Sequence, residues 1–86
     1  MFTRNEIVTA YWAIRVGEVN GSARRGILSQ LTGLSYYKTT KALNNLIKLG
    51  IVEKKTVYHR SNAVAFEYSV KPGKREFVES CYHGQF

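Results

Sequence analysis

Acidic residues, cysteine, proline and long apolar runs are all scarce in this chain, and each shortage excludes something. Cys81 is the one cysteine among 86 residues, so no disulfide can form within the chain and a reducing, intracellular compartment is the expectation. A bridge between two copies through Cys81 stays open. No stretch approaches the roughly 18 unbroken apolar residues of a membrane span, and the N-terminal "MFTRNEIVTAYWAIRVG" lacks an apolar core behind a basic lead. Residence in the cytoplasm, with no membrane as partner, is therefore expected. There is one proline and no repeat or low-complexity tract, which with 44% apolar residues describes an ordinary globular chain. At this length only about 60–65% of the unfolded chain's surface is buried on folding, so one small domain over residues 1–86 is expected and a large catalytic cleft is not.

Catalytic and cofactor chemistry lacks its usual parts. His59, Cys81 and His83 are too few and too scattered for a zinc site, and no Cys-x-x-Cys pair occurs. There is no glycine-rich phosphate loop, and no serine or cysteine has a credible set of partners for nucleophilic attack. Glu6, Glu18, Glu53, Glu67, Glu76 and Glu79 are spread singly rather than paired. The expectation is a non-enzyme without metal or cofactor.

Positive charge is plentiful: 13 Lys and Arg against 6 acidic residues give a net charge of +7. Such an excess favours a polyanionic partner, nucleic acid before an acidic membrane surface.

The apolar periodicity then sets out the elements. Thr3 and Glu6 have the spacing of a capping box, and Ile7, Ala10, Tyr11, Ile14 and Trp12 recur at helical steps, predicting a first helix from Arg4 to about Val16, broken by "GEVNG" at 17–21. Ser22 can cap a second helix over 23–32, with Ile27, Leu28 and Leu31 inward and Arg24 and Arg25 in its first turn. Two arginines at the positive end of a helix are better tolerated with an anion nearby, which hints at phosphate. Gly33 suits a left-handed helix end, Leu34 is expected to be buried, and Ser35 caps a third helix from Tyr36 to Leu49, stopped by Gly50. "IVEKKTVYHR" and "VAFEYSV" read as two strands around Ser61-Asn62-Ala63. Val64, Phe66, Tyr68 and Val70 of the second are expected to face the core. After Pro72-Gly73, "KREFVESCYH" predicts a short last helix with Phe77, Val78 and Cys81 on one side, and 83–86 are expected to fray.

Residues 27–52, "ILSQLTGLSYYKTTKALNNLIKLGIV", resemble the winged helix-turn-helix family. The run has Leu28-Ser29, Gly33-Leu34-Ser35, Ala42-Leu43 with Leu46, and Leu49-Gly50-Ile51-Val52 in uninterrupted spacing. The hairpin followed by a polar turn and a helix is similar to small regulators of the multiple-antibiotic-resistance group. The resemblance implies an α+β fold: a three-helix core, a two-stranded β-hairpin wing and a short C-terminal helix. Thr39 departs from the pattern at a place where an aliphatic side chain usually packs. A buried threonine there can return its hydroxyl to a carbonyl one turn earlier.

With Thr39, Ala42, Leu43 and Leu46 inward, the third helix turns Tyr36, Tyr37, Lys38, Thr40, Lys41 and Asn44 outward. The resemblance makes it a recognition helix, residues 36–49, in the major groove of double-stranded DNA. Asn44 then suits adenine, Lys41 guanine, and Thr40 or a tyrosine a thymine methyl or a phosphate. Ser22, Arg24 and Arg25 are candidate phosphate contacts at the start of helix two. The wing, 53–68, offers Lys54, Lys55, His59, Arg60, Ser61 and Asn62 to the backbone or minor groove. Lys54 and Lys55 serve equally well as a charged edge that discourages strand-to-strand aggregation.

One such module buries only about 600–1,000 Å² on DNA, so a homodimer is expected. Val8, Tyr11, Trp12, Phe77, Val78 and Cys81 are the candidate contact residues. The small size fits a minimal regulator such as those of viruses, phages or plasmids, acting in the host cytoplasm if viral. Nothing identifies a small-molecule effector. Two other functions use the same fold: a protein-binding winged-helix adaptor, and a non-specific architectural or replication-associated DNA binder.

Overall fold

A computed structural model describes residues 2–58 and 64–85. Helix α1 spans Arg4–Asn20, strand β1 Ala23–Arg24, α2 Arg25–Thr32, α3 Tyr36–Lys48, β2 Val52–Tyr58, β3 Val64–Val70, a 3₁₀ turn Pro72–Lys74 and α4 Arg75–Gln85. The expected α+β class and element order are present, with β3 central in an antiparallel sheet of order β1-β3-β2. Helices, sheet and α4 share a core built from Ala10, Ile14, Leu28, Leu43, Leu46, Ile51, Val52, Tyr68, Val70 and Val78.

Local chemistry explains the helix ends. The capping box is closed: Glu6 N–H donates to Thr3 Oγ1 and Thr3 N–H to Glu6 Oε1, each at 3.2 Å. Ser35 Oγ accepts from Lys38 N–H at 3.1 Å to start α3. Gly33, at φ 75°, ends α2 in the left-handed conformation that glycine adopts without strain.

Several boundaries differ from those expected. α1 does not stop near Val16: Gly17 is accommodated within the helix, and the chain leaves it at Gly21, whose N–H donates to Gly17 C=O at 2.8 Å. Ser22 does not cap α2, because Ala23 and Arg24 are drawn into the sheet, pairing with Tyr68 and Glu67. Arg24 takes the cap position without a side-chain cap bond, and Ser22 Oγ donates instead to Glu67 Oε1. With eight residues, α2 presents only a narrow stripe to the core, so Leu28 is fully buried while Ile27 and Leu31 remain 41% and 43% exposed. Leu34 is half-buried. At the C-terminus α4 runs through His83 and Gly84 to Gln85.

The inward face of β3 holds over half its length. Tyr68 and Val70 are buried, whereas Val64 and Phe66 are 52% and 40% exposed. The hairpin simply outruns the helices beneath it.

Candidate nucleic-acid interface

α3 is a two-faced helix. Thr39, Ala42, Leu43 and Leu46 are buried, and Tyr36, Tyr37, Lys38, Lys41, Asn44 and Lys48 are exposed, with Thr40 half-buried between the two sides. The alternation follows from apolar residues at three- and four-residue steps. Thr39 Oγ1 donates to Ser35 C=O at 2.9 Å, so the threonine in the aliphatic position satisfies its hydroxyl within its own helix, as expected.

The start of α2 reaches this helix. The Arg25 guanidinium lies 4.2 Å from the centre of the Tyr36 ring and its Nη1 donates to Thr40 Oγ1 at 3.1 Å. Thr40 Oγ1 in turn donates to Tyr36 C=O at 2.8 Å. Three of the candidate residues are thereby brought into one cluster, a cation held over an aromatic face. Arg24 is exposed and lies 3.9 Å from Glu67 Oε2 through its Nε. Ser22 and Arg24 thus both converge on Glu67, at the sheet side of α2.

On the hairpin, Lys54 and Lys55 are exposed and point to opposite faces, as neighbours on a strand must. Lys54 Nζ sits 4.0 Å over the Phe66 ring, and Lys55 pairs across the ladder with Glu67. His59, Arg60, Ser61 and Asn62 lie outside the described residues.

Asn45, which the sequence pattern does not single out, ties the helix down. Its Nδ2 donates to Glu6 Oε2 at 3.0 Å, so the carboxylate that closes the α1 capping box also anchors α3. Glu6 is 5% exposed, and both of its oxygens are engaged, which offsets the cost of burying a carboxylate. The contact spans 39 residues, and no local spacing announces it.

The residues expected at a dimer contact are largely engaged between α1 and α4. Tyr11 stacks on Tyr82 with ring centres 3.7 Å apart, and meets Trp12 edge-on at 5.7 Å. Phe77 meets Phe2 at 5.3 Å and stays 43% exposed, while Val78 is 5% exposed and belongs to the core. Val8, Trp12 and Cys81 are half-buried, and Cys81 carries a free thiol. Arg15 pairs with Glu79 and, at 2.8 Å, with Glu18, which also meets Arg75 at 3.4 Å.

Among the described residues, no group of His, Cys, Asp and Glu side chains could hold a metal ion, and no helix is long and apolar enough to cross a membrane.

No family model and no curated protein matches the chain. Several solved structures share its fold, among them the following two. One is a mutant form of ZitR from Lactococcus lactis, superposing with a TM-score of 0.71 at 13% identity over 96% of this chain; this chain spans 52%, about half, of that one. The other is a possible transcriptional regulator from Methanosarcina mazei Go1, with a TM-score of 0.65 at 11% identity over 98% of this chain and 70% of that one. At such identities the likeness is one of fold.

Proposed function

We propose that this chain is a sequence-specific, double-stranded-DNA-binding transcription regulator of the winged helix-turn-helix kind, a single domain acting in the cytoplasm as a homodimer. The observation that carries the reading is the outer face of α3. Tyr36, Tyr37, Lys38, Lys41 and Asn44 are exposed together on a helix whose other face is buried, in a chain of net charge +7.

In this reading the N-terminal half of α3 enters the major groove, where base pairs differ in their donor and acceptor patterns. Asn44 bonds adenine and Lys41 the acceptors of guanine, while Tyr36 and Tyr37 supply ring contacts to thymine methyls or hydroxyl contacts to phosphate. Arg25, held across Tyr36 and Thr40, and Arg24 meet the adjacent backbone, and the hairpin lies on the backbone or minor groove with Lys54 and Lys55 beside it. The half-buried aromatic surface of α1 and α4, with Phe77, is where a second copy docks.

The test is duplex binding as a function of salt. A steep linear fall of log affinity with log salt, with slope near 0.9 times the number of phosphates neutralised, is the expected result. A shallow dependence would favour a protein-binding adaptor, and equal affinity for unrelated duplexes an architectural binder.

A further inference from the structure

α3 is bordered on two sides. Tyr36 and Lys38 stand about 200° apart around a helix of about 3.6 residues per turn, so they leave it on opposite flanks, with Tyr37, Lys41 and Asn44 exposed on the face between them. On the Tyr36 flank is the start of α2, its Arg25 guanidinium set across Tyr36 and Thr40. On the Lys38 flank is the first turn of α1. Asn45 follows Lys38 by two helical turns on the same side, and its 3.0 Å bond to Glu6 fixes α1 there.

A cleft of about 310 Å³ opens between α1 and α3 on this second flank, lined by Thr3, Asn5, Tyr37, Lys38 and Lys41 among others. Its charge is cationic on balance. Lys38 and Lys41 are exposed, whereas the one carboxylate, Glu6, is 5% exposed and has both oxygens engaged, by Thr3 N–H and by Asn45. Asn5 is half-buried at the cleft, and its side-chain amide has no partner among the described residues. Side chains, rather than the helix end, supply the open donors, since Glu6 N–H already donates to Thr3.

We infer that this cleft takes the DNA backbone on the far side of the major groove: Lys38 Nζ pairs with a phosphate and Asn5 Nδ2 donates to the same strand, so that the domain grips both walls of the groove that α3 enters. The inference rests on the reading of α3 as the base-reading helix. A helix about 10–12 Å across fills a groove about 12 Å wide, so whatever borders the helix on either side meets a wall of phosphates. Arg24 and Arg25 meet one wall, and the first turn of α1 stands at the other. The chemistry agrees, because an ammonium and an amide donate and a phosphate oxygen accepts. Backbone contacts position a reader without carrying sequence. Asn5 and Lys38 are thus positioning residues, which set the angle at which Lys41 and Asn44 meet the bases.

The test titrates the isotopically labelled full chain with a short mixed-sequence DNA duplex at low salt. The Asn5 side-chain amide and the Lys38 signals are expected to shift together with those of Tyr37, Asn44 and Arg25. Three variants then separate contact from structure. Asn5→Asp keeps the shape and suits the first turn of a helix, so melting is expected to hold while duplex affinity falls about tenfold. Asn5→Lys is expected to bind more tightly and to steepen the slope of log affinity against log salt by about 0.9, and Lys38→Gln to reduce that slope by about as much. A purely structural Asn5 would move the melting temperature and leave the slope alone. Shifts at Tyr37, Asn44 and Arg25 with none at Asn5 or Lys38, or unchanged affinity and slope in all three variants, would overturn the second wall and leave the reading of α3 intact. No shift anywhere on α3 would overturn both. Inorganic phosphate that moves the Asn5 amide as far as the duplex does would also overturn the inference, since the cleft would then be a site for a free anion.

Discussion

α3 and the β2–β3 hairpin are both amphipathic, but only the helix is seated along its whole length. Thr39, Ala42, Leu43 and Leu46 are all buried, the first turn is capped by Ser35, and Asn45 is tied to Glu6. The hairpin buries Tyr68 and Val70 at its base and then leaves Val64 and Phe66 half in water. The difference separates two kinds of exposed surface. A firmly seated helix presents fixed polar groups, as reading bases demands, because a misplaced donor leaves its partner unpaired. An overhanging strand leaves apolar side chains half in water, where no core contact fixes them.

The largest effect that sharpens the contrast is on stability. Leu43→Ala is expected to cost about 2–5 kcal/mol in urea denaturation, and Phe66→Ala about 1 kcal/mol, since much of that ring is already solvated. Equal losses would show that the hairpin is as well seated as the helix. Next come the outer residues of α3. Lys41→Ala and Asn44→Ala are each expected to weaken binding to a preferred duplex by about 1–3 kcal/mol while moving stability by less than about 0.5 kcal/mol. Unchanged affinity and preference in both variants would remove them from the interface.

Smaller effects concern how the helix is held. Ser35→Ala removes the acceptor for Lys38 N–H and is expected to lower stability by about 1 kcal/mol by thermal melting. Asn45→Ala leaves one Glu6 oxygen without its partner and is expected to cost about 1 kcal/mol, with a loss of duplex affinity as α3 loosens against α1. A stability loss with no change in affinity would mean that the tie does not set the helix's position on DNA. Smallest is Arg25→Ala, expected to lower the slope of log affinity against log salt by about 1; an unchanged slope would mean that Arg25 serves only to brace Tyr36 and Thr40.

What was legible in the sequence is what local chemistry decides. Thr3 with Glu6, Ser35 with Lys38, Gly33 and the spacing from Ala42 to Leu46 each act within one or two helical turns, so the outer face of α3 could be read directly. Thr39 belongs with them, since its back-bond reaches only to Ser35. The features that escaped are set by distant partners. Ser22 reads as a cap until β3 claims Ala23 and Arg24, and the bond from Asn45 to Glu6 joins the two ends of the helical layer. Val64 and Phe66 continue the alternation of Tyr68 and Val70 without any sign that the helices beneath have ended. In α2, Ile27 and Leu31 flank Leu28 at helical spacing, and only the shortness of the contact leaves them outside the core.

The central claim is that the outer face of α3 reads bases. The most direct test is selection of the purified chain against a random duplex pool at near-physiological salt, with sequencing of the bound fraction for the natural chain and for Lys41→Ala with Asn44→Ala. The account predicts an enriched motif with two-fold symmetry, its halves about one helical turn apart, and a loss of preference within each half in the double variant. No enrichment by the natural chain, or the same motif enriched equally by the variant, would contradict it.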